Sequence, residues 1–495
     1  MTDALESEGS VHDAATVARP HILIIVQNLP VPFDRRVWLE CQALVAEGYA
    51  VSVICPRGPG DPARQSIEGV EIYKYAPAPQ AEGLAGYAWE FGYSWVRTAL
   101  LSLRVWRDSR FAVIQACNPP DTYWLLARLW RPRGVRFVFD QHDLNPELYL
   151  SRFGEPKTRR GKAQLRALRW LEQRTYRAAD HVISTNESYR AIATSRGGKA
   201  HGDTTVVRSG PDTRQMRPHY PPQRAEADQA GEGRTFTLAY LGIMGPQDGV
   251  DQILEVMEEL TVRRGRTDVR AVLMGFGDCL EGLQQDSHAR GLDRVVTFTG
   301  RADKVVIARH LSTADVGLCP DLKTPLNDVS TMNKTMEYMA YALPCVSFDL
   351  VETRVSGGEA ALYVPSADIS GFADAVERLL DDDELRTSMA LAARERVSTH
   401  LDWRPQAKAY VEVFRRLVPI KARSEARDGL VPAPRAPRTV EGADLVDLED
   451  LEELRRFVRD RAPRPTSPVR MAVTTGVAVP RPARPHAVAV PDALT

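Results

Sequence analysis

Short apolar runs rich in β-branched residues alternate with amphipathic, helix-like stretches through most of this 495-residue chain. This alternation is typical of βαβ units, in which successive strands are parallel and a helix crosses between them. Seven such runs lie between residues 21 and 210, and five more lie between residues 236 and 350. The pattern therefore predicts an α/β fold with two parallel sheets.

Residues 216–234 are rich in proline and charge and separate the two sets of apolar runs, which is typical of a linker. We therefore predict a first domain over residues 21–215 and a second over residues 235–400. Further helical patterns continue to about residue 417. No internal repeat is visible, so the two domains are expected to share architecture rather than sequence.

Both ends of the chain differ in composition from its middle. Residues 1–20 are polar and are predicted to be a disordered leader, while residues 421–495 contain ten prolines and Phe457 as their only aromatic residue. We expect this C-terminal segment to be a mostly disordered tail. Within it, residues 445–460 have apolar residues at helical spacing, which predicts a helix that forms only transiently or on a partner.

Charge and cysteine content exclude several classes of protein. Lys plus Arg number 64 and Asp plus Glu 65, so no overall basic field exists to attract nucleic acid. The six cysteines lie far apart without a C-x-x-C pair, which indicates reduced thiols in the cytoplasm. No export signal or apolar run long enough to span a bilayer is visible.

In doubly wound sheets ligands bind beyond the carboxyl ends of the strands, so the turns at those ends are the candidate sites. In the second domain, Gly242, Gly245 and Gly249 follow a strand and precede a helix, as in turns that bring backbone N–H groups to a phosphate. The alternative is an ordinary glycine-rich turn in which Asp248 caps the helix. Two further glycines, Gly275 and Gly277, lie in the next strand-to-helix turn and are a weaker signal of the same kind.

A polar cluster precedes another helix of the second domain and continues onto it. Its members are Asp328, Thr331, Asn333, Lys334 and Glu337. Lys334 and Glu337 are one turn apart and would form a surface ion pair in the simplest interpretation. Alternatively, Lys334 binds a diphosphate and Glu337 accepts hydrogen bonds from ribose hydroxyls, which the position after a predicted strand favours.

In the first domain, Asp140, His142 and Asp143 lie at a strand's carboxyl end. Flanking carboxylates fix the tautomer of a histidine and support its pKa, which suits it to binding hydroxyls or stabilising charge, although structural histidines also occupy such places. The preceding predicted strand ends in the rigid turn that contains Asn118, which is expected to shape the same cleft.

The first strand is followed by Asp34, Arg35 and Arg36. The two arginines are candidates for contact with a pyrophosphate across the cleft, although one of them can equally be a solvated surface residue.

Taken together, several segments resemble the family-4 retaining glycosyltransferases, in particular their bacterial surface-polysaccharide branch. The likeness covers about residues 21–417 and rests on FDRRVWLECQAL, CNPPD, FDQHDLNPEL, VRSGPD, YLGIMGPQDGVD, FTGR and NKTMEYMAYALPCVSFD, in that order. The resemblance implies the GT-B architecture, which has two facing Rossmann-like domains with parallel sheets. It also implies that residues 401–420 form a helix that crosses back onto the first domain.

The resemblance further implies that the second domain binds a nucleotide sugar. Glu337 matches the later glutamate of the family's Glu-x7-Glu motif, whereas Val329 stands at the earlier one, so Asp328 or backbone amides are expected to hold the sugar hydroxyls. The family's arginine and lysine in the glycine turn are also missing, with Gly245 near the first and Asp248 at the second. Phosphate neutralisation is then expected from Lys334, helped by Arg35 or Arg36.

His142 matches the family histidine that contacts the donor sugar near its anomeric carbon. The implied reaction is metal-independent transfer with retention, in which the departing diphosphate stabilises an oxocarbenium-like transition state. No Asp-x-Asp motif lies in a plausible site, so neither a catalytic metal nor a cofactor is expected.

Other classes of protein compete with this interpretation. A non-hydrolysing sugar-nucleotide epimerase would share the architecture and the donor. The missing Glu, Arg and Lys also fit a degenerate, non-catalytic scaffold that binds sugar nucleotides. A nicotinamide-dependent oxidoreductase is disfavoured because no G-x-G-x-x-G follows the first strand.

Two segments of the first domain bear on the acceptor, which we expect to be a glycan or a lipid-linked glycan. Residues 87–107 mix six aromatic residues with arginines, and residues 152–177 carry nine basic residues against two acidic ones. Such segments predict a cytoplasmic protein in peripheral contact with the inner face of the membrane. The alternative is that the aromatic residues pack in the core and the basic ones form a solvated helix face.

Overall fold

The computed structural model describes residues 19–78, 83–220, 234–420 and 445–461. The first domain contains an eight-stranded sheet in the order β3-β4-β2-β1-β5-β6-β7-β8, parallel throughout except between β3 and β4. Its strands are β1 (His21–Ile25), β2 (Ala50–Pro56), β3 (Arg64–Ile67), β4 (Val70–Tyr75), β5 (Val113–Cys117), β6 (Arg136–Gln141), β7 (His181–Ser184) and β8 (Thr204–Val206).

Helices cover both faces of this sheet, because its central strands are buried on both sides. They are α1 (Arg35–Glu47), α2 (Gly83–Asp108), α3 (Trp124–Trp130), α4 (Asn145–Phe153), α5 (Arg159–Ala178) and α6 (Glu187–Ser195). One apolar core forms under α1, and the other lies under α2 and α3 on the opposite face.

The second domain has a six-stranded parallel sheet in the order β11-β10-β9-β12-β13-β14. Its strands are β9 (Phe236–Ile243), β10 (Val269–Phe276), β11 (Val296–Gly300), β12 (Val316–Cys319), β13 (Cys345–Phe348) and β14 (Ala361–Val364). Its helices are α7 (Val250–Glu258), α8 (Leu280–Ala289), α9 (Lys304–Thr313), α10 (Asn333–Ala340), α11 (Val351–Gly357), α12 (Ile369–Asp381) and α13 (Asp383–Arg396).

The predicted crossover helix is α14 (Trp403–Leu417), which leaves the second domain and packs against α1. Asp402 caps its N-terminus by accepting from the backbone N–H of Arg404 at 2.8 Å. Tyr410 and Phe414 are fully buried in the core of the first domain. The amphipathic pattern of α14 therefore completes the core of the domain that lies earlier in the chain.

The helix predicted within residues 445–460 of the tail is present, but it is docked on the chain itself rather than transient or dependent on a partner. This segment contains α15 (Leu451–Asp460), whose Leu454, Phe457 and Val458 are buried against the second domain. Phe457 meets the ring of Tyr220 edge to face at 5.5 Å, so residue 220 of the predicted linker is also packed. The apolar stripe visible in the sequence therefore suffices to dock the helix, although the tail as a whole has few aromatic residues.

The predicted leader and most of the remaining tail lie outside the described residues, as do residues 221–233 of the predicted linker. Within the described part of the chain, no helix has both the length and the apolar character required to cross a bilayer.

Candidate functional site

A cleft separates the carboxyl ends of the two sheets. In each sheet the chain adds strands first on one side of β1 or β9 and then on the other side, so the strand order reverses direction at these two central strands. Ligands of such sheets bind at this switch point. A cavity of about 170 Å³ opens between the domains. Its lining comprises Asp34, Arg35, Arg36, Leu39, Ser209 and Gly210 of the first domain, Asn333 of the second, and Trp403 of α14.

Arg36 is a buried structural charge rather than a solvated one. Its Nη2 donates to Asp140 Oδ1 at 2.9 Å, and its Nη1 donates to the carbonyl of Val207 and to Ser209 Oγ at 2.8 and 3.0 Å. Nε lies 3.0 Å from Glu40 Oε1. Because these partners lie inside the first domain, the structure does not support the expectation that Arg36 is free to help neutralise a diphosphate.

His142 is held by Asp140 on β6. Nε2 of His142 lies 2.7 Å from Asp140 Oδ2, and its backbone N–H donates to Asn118 Oδ1 at 2.7 Å. Burial alone would lower the pKa of His142, but the charge and hydrogen bond of Asp140 outweigh burial and raise this pKa above its usual value. Nδ1 of His142 has no protein partner among the described residues.

Asn118 fixes the loop that carries His142 and Asp143. Its Oδ1 accepts from both of their backbone N–H groups, and its Nδ2 donates to the carbonyl of Asp143 at 2.7 Å and to Asp121 Oδ1 at 3.0 Å. Burial raises the pKa of Asp143, whose carboxylate accepts no hydrogen bond from any described residue. The predicted cleft residues of the first domain therefore do assemble in one place.

Sequence reasoning missed two members of this cluster, Glu40 and Gln115. Gln115 Nε2 donates to Glu40 Oε2 at 2.8 Å and to Asp140 Oδ2 at 3.0 Å, while its Oε1 accepts from the hydroxyl of Tyr410 at 2.6 Å. Burial, followed by repulsion from Asp140, raises the pKa of Glu40 to about 8. The spacing of Glu40 one turn after Arg36 was a usable signal, because a buried arginine requires a carboxylate partner.

Cys117, Asp140 and His142 are the one group in the described chain whose ligand atoms lie close enough together for a metal ion, within 4.8 Å of one another. The guanidinium of Arg36 already supplies the positive charge at Asp140. Burial also raises the pKa of the Cys117 thiol well above its usual value and so disfavours the thiolate that a metal binds. The donor set therefore fits a buried arginine better than a metal.

On the opposite side of the cleft, Lys334 is almost fully buried near the start of α10. Its Nζ lies 2.5 Å from Asp321 Oδ1 and 5.2 Å from the ring centre of Tyr240. Burial would lower the pKa of Lys334, but Asp321 more than compensates and raises it. Only one acceptor among the described residues uses this ammonium group, which leaves N–H donors for a ligand.

The glycines of the predicted phosphate turns permit close backbone packing. A Cβ on Gly275 would lie 1.9 Å from the carbonyl oxygen of Gly242, and one on Gly277 would lie 2.6 Å from that of Met244. Gly249 has φ +64° and would meet the carbonyl of Pro320 at 2.1 Å. These positions therefore require glycine to bring β9, β10 and β12 together, whether or not a phosphate binds.

Asp248 does not cap α7 through its side chain. Its Oδ2 accepts from the backbone N–H of Gly245 at 3.0 Å and so closes the short turn 246–248, while Gly249 precedes the helix. Burial raises the pKa of Asp248 to about 6. The carboxylate of Asp248 therefore binds the backbone N–H of Gly245, which is one of the groups that we expected to bind a phosphate.

The surface ion pair considered for Lys334 and Glu337 does not form. Glu337 instead contacts the guanidinium of Arg35 from the first domain, and this contact spans the cleft. The N-terminus of α10 begins after Met332, which provides no side-chain cap, so backbone N–H groups remain available there.

Asp328 and Thr331 serve in contacts other than those predicted. Asp328 Oδ1 accepts from the N–H of Val351 at 3.0 Å and pairs with Lys323 at 3.1 Å. Thr331 Oγ1 accepts from Asn186 Nδ2 at 3.0 Å, across the domain boundary. Val329, at the place of the missing glutamate, packs against the first domain in an apolar cluster with Leu144 and Tyr189.

Two matches to family models agree with this geometry. Residues 34–210 match the model described as "Glycosyl transferase 4-like domain", and residues 235–382 match "Glycosyl transferases group 1". Together the matches cover more than half of the chain, and each lies in one of the two domains.

The similarity to known proteins extends over most of the chain. Glycogen synthase of Mycobacterium tuberculosis is 23% identical over 386 residues, which is 75% of this chain and 88% of that protein. Sucrose-phosphate synthase from Thermosynechococcus elongatus superposes with a TM-score of 0.64 at 20% identity, covering 81% of this chain and 99% of the other. HepE from Anabaena, in complex with UDP-glucose, superposes with a TM-score of 0.58 at 15% identity, covering 80% and 99%.

The two facing α/β domains, the returning helix α14 and the matches across both domains lead to one conclusion: the chain belongs to the family-4 glycosyltransferases with the GT-B fold.

Proposed function

We propose that this protein transfers a sugar from a nucleotide-sugar donor to a glycan or lipid-linked acceptor, with retention of anomeric configuration and without a divalent metal. The observation that carries the proposal is the arrangement of the cleft. Residues of α10 that suit a nucleoside diphosphate stand on one side, and the Asp140–His142 pair stands on the other.

The α10 side suits the diphosphate and the ribose. An uncapped helix N-terminus and a buried, charged lysine both favour an anion. Glu337 can accept hydrogen bonds from two ribose hydroxyls once Arg35 releases it, and the released guanidinium then becomes available to the diphosphate. These protein charges take the place that a metal would fill at the leaving group. HepE, which shares the fold, binds UDP-glucose, and this supports a nucleotide-sugar donor.

The first-domain side suits the sugar and the acceptor. With Asp140 bound at Nε2, His142 has Nδ1 free for a sugar hydroxyl, and Asn118 keeps its backbone in place. The carboxylate of Asp143 is available to an acceptor hydroxyl. In this arrangement the protein positions both substrates and stabilises the departing diphosphate, while the acceptor attacks from the same face. We propose that the reaction takes place in the cytoplasm, at the inner face of the membrane.

A ligand screen tests the donor. Thermal shift and calorimetry are measured with UDP, GDP, ADP, dTDP and their common sugars, with and without magnesium. We expect one nucleotide to raise the melting temperature equally in both conditions, with about 2.7 kcal/mol of stabilisation at a hundredfold excess over Kd. Failure of every nucleotide to bind the folded protein would reject the donor class, and a requirement for magnesium would reject the metal-free mechanism.

Two substitutions test the division of roles. Glu337→Ala is expected to weaken nucleotide binding, whereas His142→Ala is expected to leave it intact while lowering turnover. Equal loss of nucleotide binding in both variants would contradict the assignment. Proton NMR of the first product formed reports the anomeric configuration, and an inverted product would refute retention.

A further inference from the structure

Three helices cover one face of the first sheet and lie side by side. Trp130 at the end of α3 donates from Nε1 to Ser102 Oγ of α2 at 3.1 Å. Trp124 at the start of α3 meets Trp170 of α5 with ring centres 6.2 Å apart. The order across the face is therefore α2, α3, α5, and we call their combined outer surface the α2–α3–α5 face.

The α2–α3–α5 face exposes large apolar side chains, and those on α2 recur at helical spacing. The inner side of α2 is buried, whereas an outer stripe at spacings of seven, four and three residues is open to solvent. The stripe on α2 consists of Trp89, Val96, Leu100 and Leu103, and its neighbours are Leu125 and Leu129 on α3 and Trp170 on α5. Leu100 is 56% exposed and Leu129 61%. Apolar side chains gathered on one surface in this way mark a site of interaction.

Unpaired positive charge surrounds these apolar side chains. The exposed cations of these helices without an ion-pair partner among the described residues are Arg97, Arg104 and Arg107 on α2, Arg128 on α3, and Arg159, Arg160, Lys162, Arg166, Arg169, Arg174 and Arg177 on α5. The one acid of α5, Glu172, is buried and pairs with Arg196, which follows α6. On α2 the unpaired acid is Glu90 alone, because Asp108 binds Arg64.

The face adjoins the acceptor side of the cleft. Helices in parallel βαβ units run opposite to the strands, so the N-terminal turns of α2 and α3 lie at the same sheet edge as His142. From this edge α4 begins two residues after Asp143 and ends at Phe153, whose side chain is 72% exposed.

We propose that the α2–α3–α5 face docks on an anionic lipid bilayer. Exposed leucine and tryptophan side chains would enter the interface, and the arginines would meet lipid phosphates. A second copy of the chain is a poorer occupant, because a symmetric contact would set like charges against each other. The inference rests on the proposed function in one respect: a docked protein would present the cleft to a lipid-linked acceptor.

Vesicle flotation of the full chain tests the proposal. We expect the protein to float with vesicles that contain phosphatidylglycerol and to remain behind with vesicles of phosphatidylcholine alone. Leu100→Ser with Leu103→Ser should reduce partitioning about tenfold or more, because each leucine contributes burial of its side chain. Arg166→Gln with Arg169→Gln should reduce it about fivefold for each charge removed, with a corresponding sensitivity to salt.

Matched controls lie on the second domain. Val262 is 62% exposed there, and Arg309 on α9 is exposed without an ion-pair partner among the described residues. Val262→Ser and Arg309→Gln should partition like the unmodified protein. A protein that stays behind with anionic vesicles overturns the proposal, as do face variants that float normally or alter only the oligomeric state. Nucleotide binding, measured without vesicles, fails only if the donor assignment is wrong, so the two failures are distinguishable.

Discussion

The guanidinium of Arg35 contacts the carboxylate of Glu337 across the interdomain cleft. The first residue of α1 and the fifth residue of α10 are thereby joined, although 302 positions separate them. A ribose that binds Glu337 must displace Arg35, so the contact competes with the donor for the same carboxylate.

Arg35→Ala is therefore expected to strengthen binding of a plain nucleoside while weakening binding of the corresponding diphosphate. The side chain of Arg35 is more than a third exposed, so solvent limits the pair to about 1 kcal/mol and the gain for the nucleoside to about fivefold. Calorimetry with nucleoside and nucleoside diphosphate measures both effects, and Arg309→Ala on the distant α9 serves as the control. Parallel changes for the two ligands would show that Arg35 does not compete for Glu337.

Glu40→Gln should change how stability depends on pH. Burial raises the folded pKa of Glu40 from its usual 4.5 to about 8. A raised carboxyl pKa means that the folded state binds more protons than the unfolded state between these values, so the stability of the unmodified protein falls as pH rises through this window. The free energy of unfolding of Glu40→Gln, minus that of the unmodified protein, should therefore increase from pH 4.5 to about pH 8. Urea denaturation across this range measures the slope, and a flat difference would mean that Glu40 titrates normally.

Asp248→Asn is expected to strengthen nucleoside diphosphate binding. The amide oxygen can still accept from Gly245, while the negative charge beside the turn is removed. The gain should be about 1 kcal/mol, the energy of two unit charges roughly 4 Å apart in water. Because burial raises the pKa of Asp248 to about 6, the gain should fade below that pH, where the carboxyl is already protonated. Calorimetry at pH 5 and pH 8 compares the affinity gain when Asp248 is protonated with the gain when it is ionised. An equal gain in affinity at both pH values would exclude charge as the cause.

Phe457→Ala should destabilise the second domain. Phe457 is 2% exposed and packs on Tyr220, so its removal costs about 3 kcal/mol if the segment remains docked. Removal of residues 445–495 should lower the melting temperature in the same direction. Leu451→Ala, at an exposed position on the same helix, is the matched control. Unchanged melting after removal of the segment would show that α15 contributes nothing to stability.

The strands were predictable because the central ones are buried on both faces and read as continuous apolar runs. All twelve predicted runs contain a strand. The two missed strands lie at sheet edges. β3 is partly exposed along its length, and β14 has four residues, two of them only half-buried. These two strands are short and only partly buried, so they lack the continuous apolar run that identified the others.

The candidate site was predictable in position but not in pairing. Topology places strand ends at a common edge, so His142, Asn118, Lys334 and Glu337 could be assigned to the cleft. Which carboxylate each cation binds depends on residues that are distant in sequence, such as Asp321 for Lys334. Nothing in the local pattern distinguishes Arg35, which reaches across the cleft, from Arg36, which turns into its own domain.

The return of α14 to the first domain has a consequence for how the chain folds during synthesis. Tyr410, Phe414 and three further residues of α14 complete a core whose remaining buried members lie before residue 210, and Tyr410 also donates to Gln115. Domains generally fold in the order in which the ribosome delivers them. Here the first domain emerges without part of its interior, and Gln115 Oε1 lacks the hydroxyl of Tyr410 until the second domain has been translated. A ribosome stalled after residue 400 would therefore carry an unfinished first domain, and a synthetic α14 peptide should protect it from proteolysis.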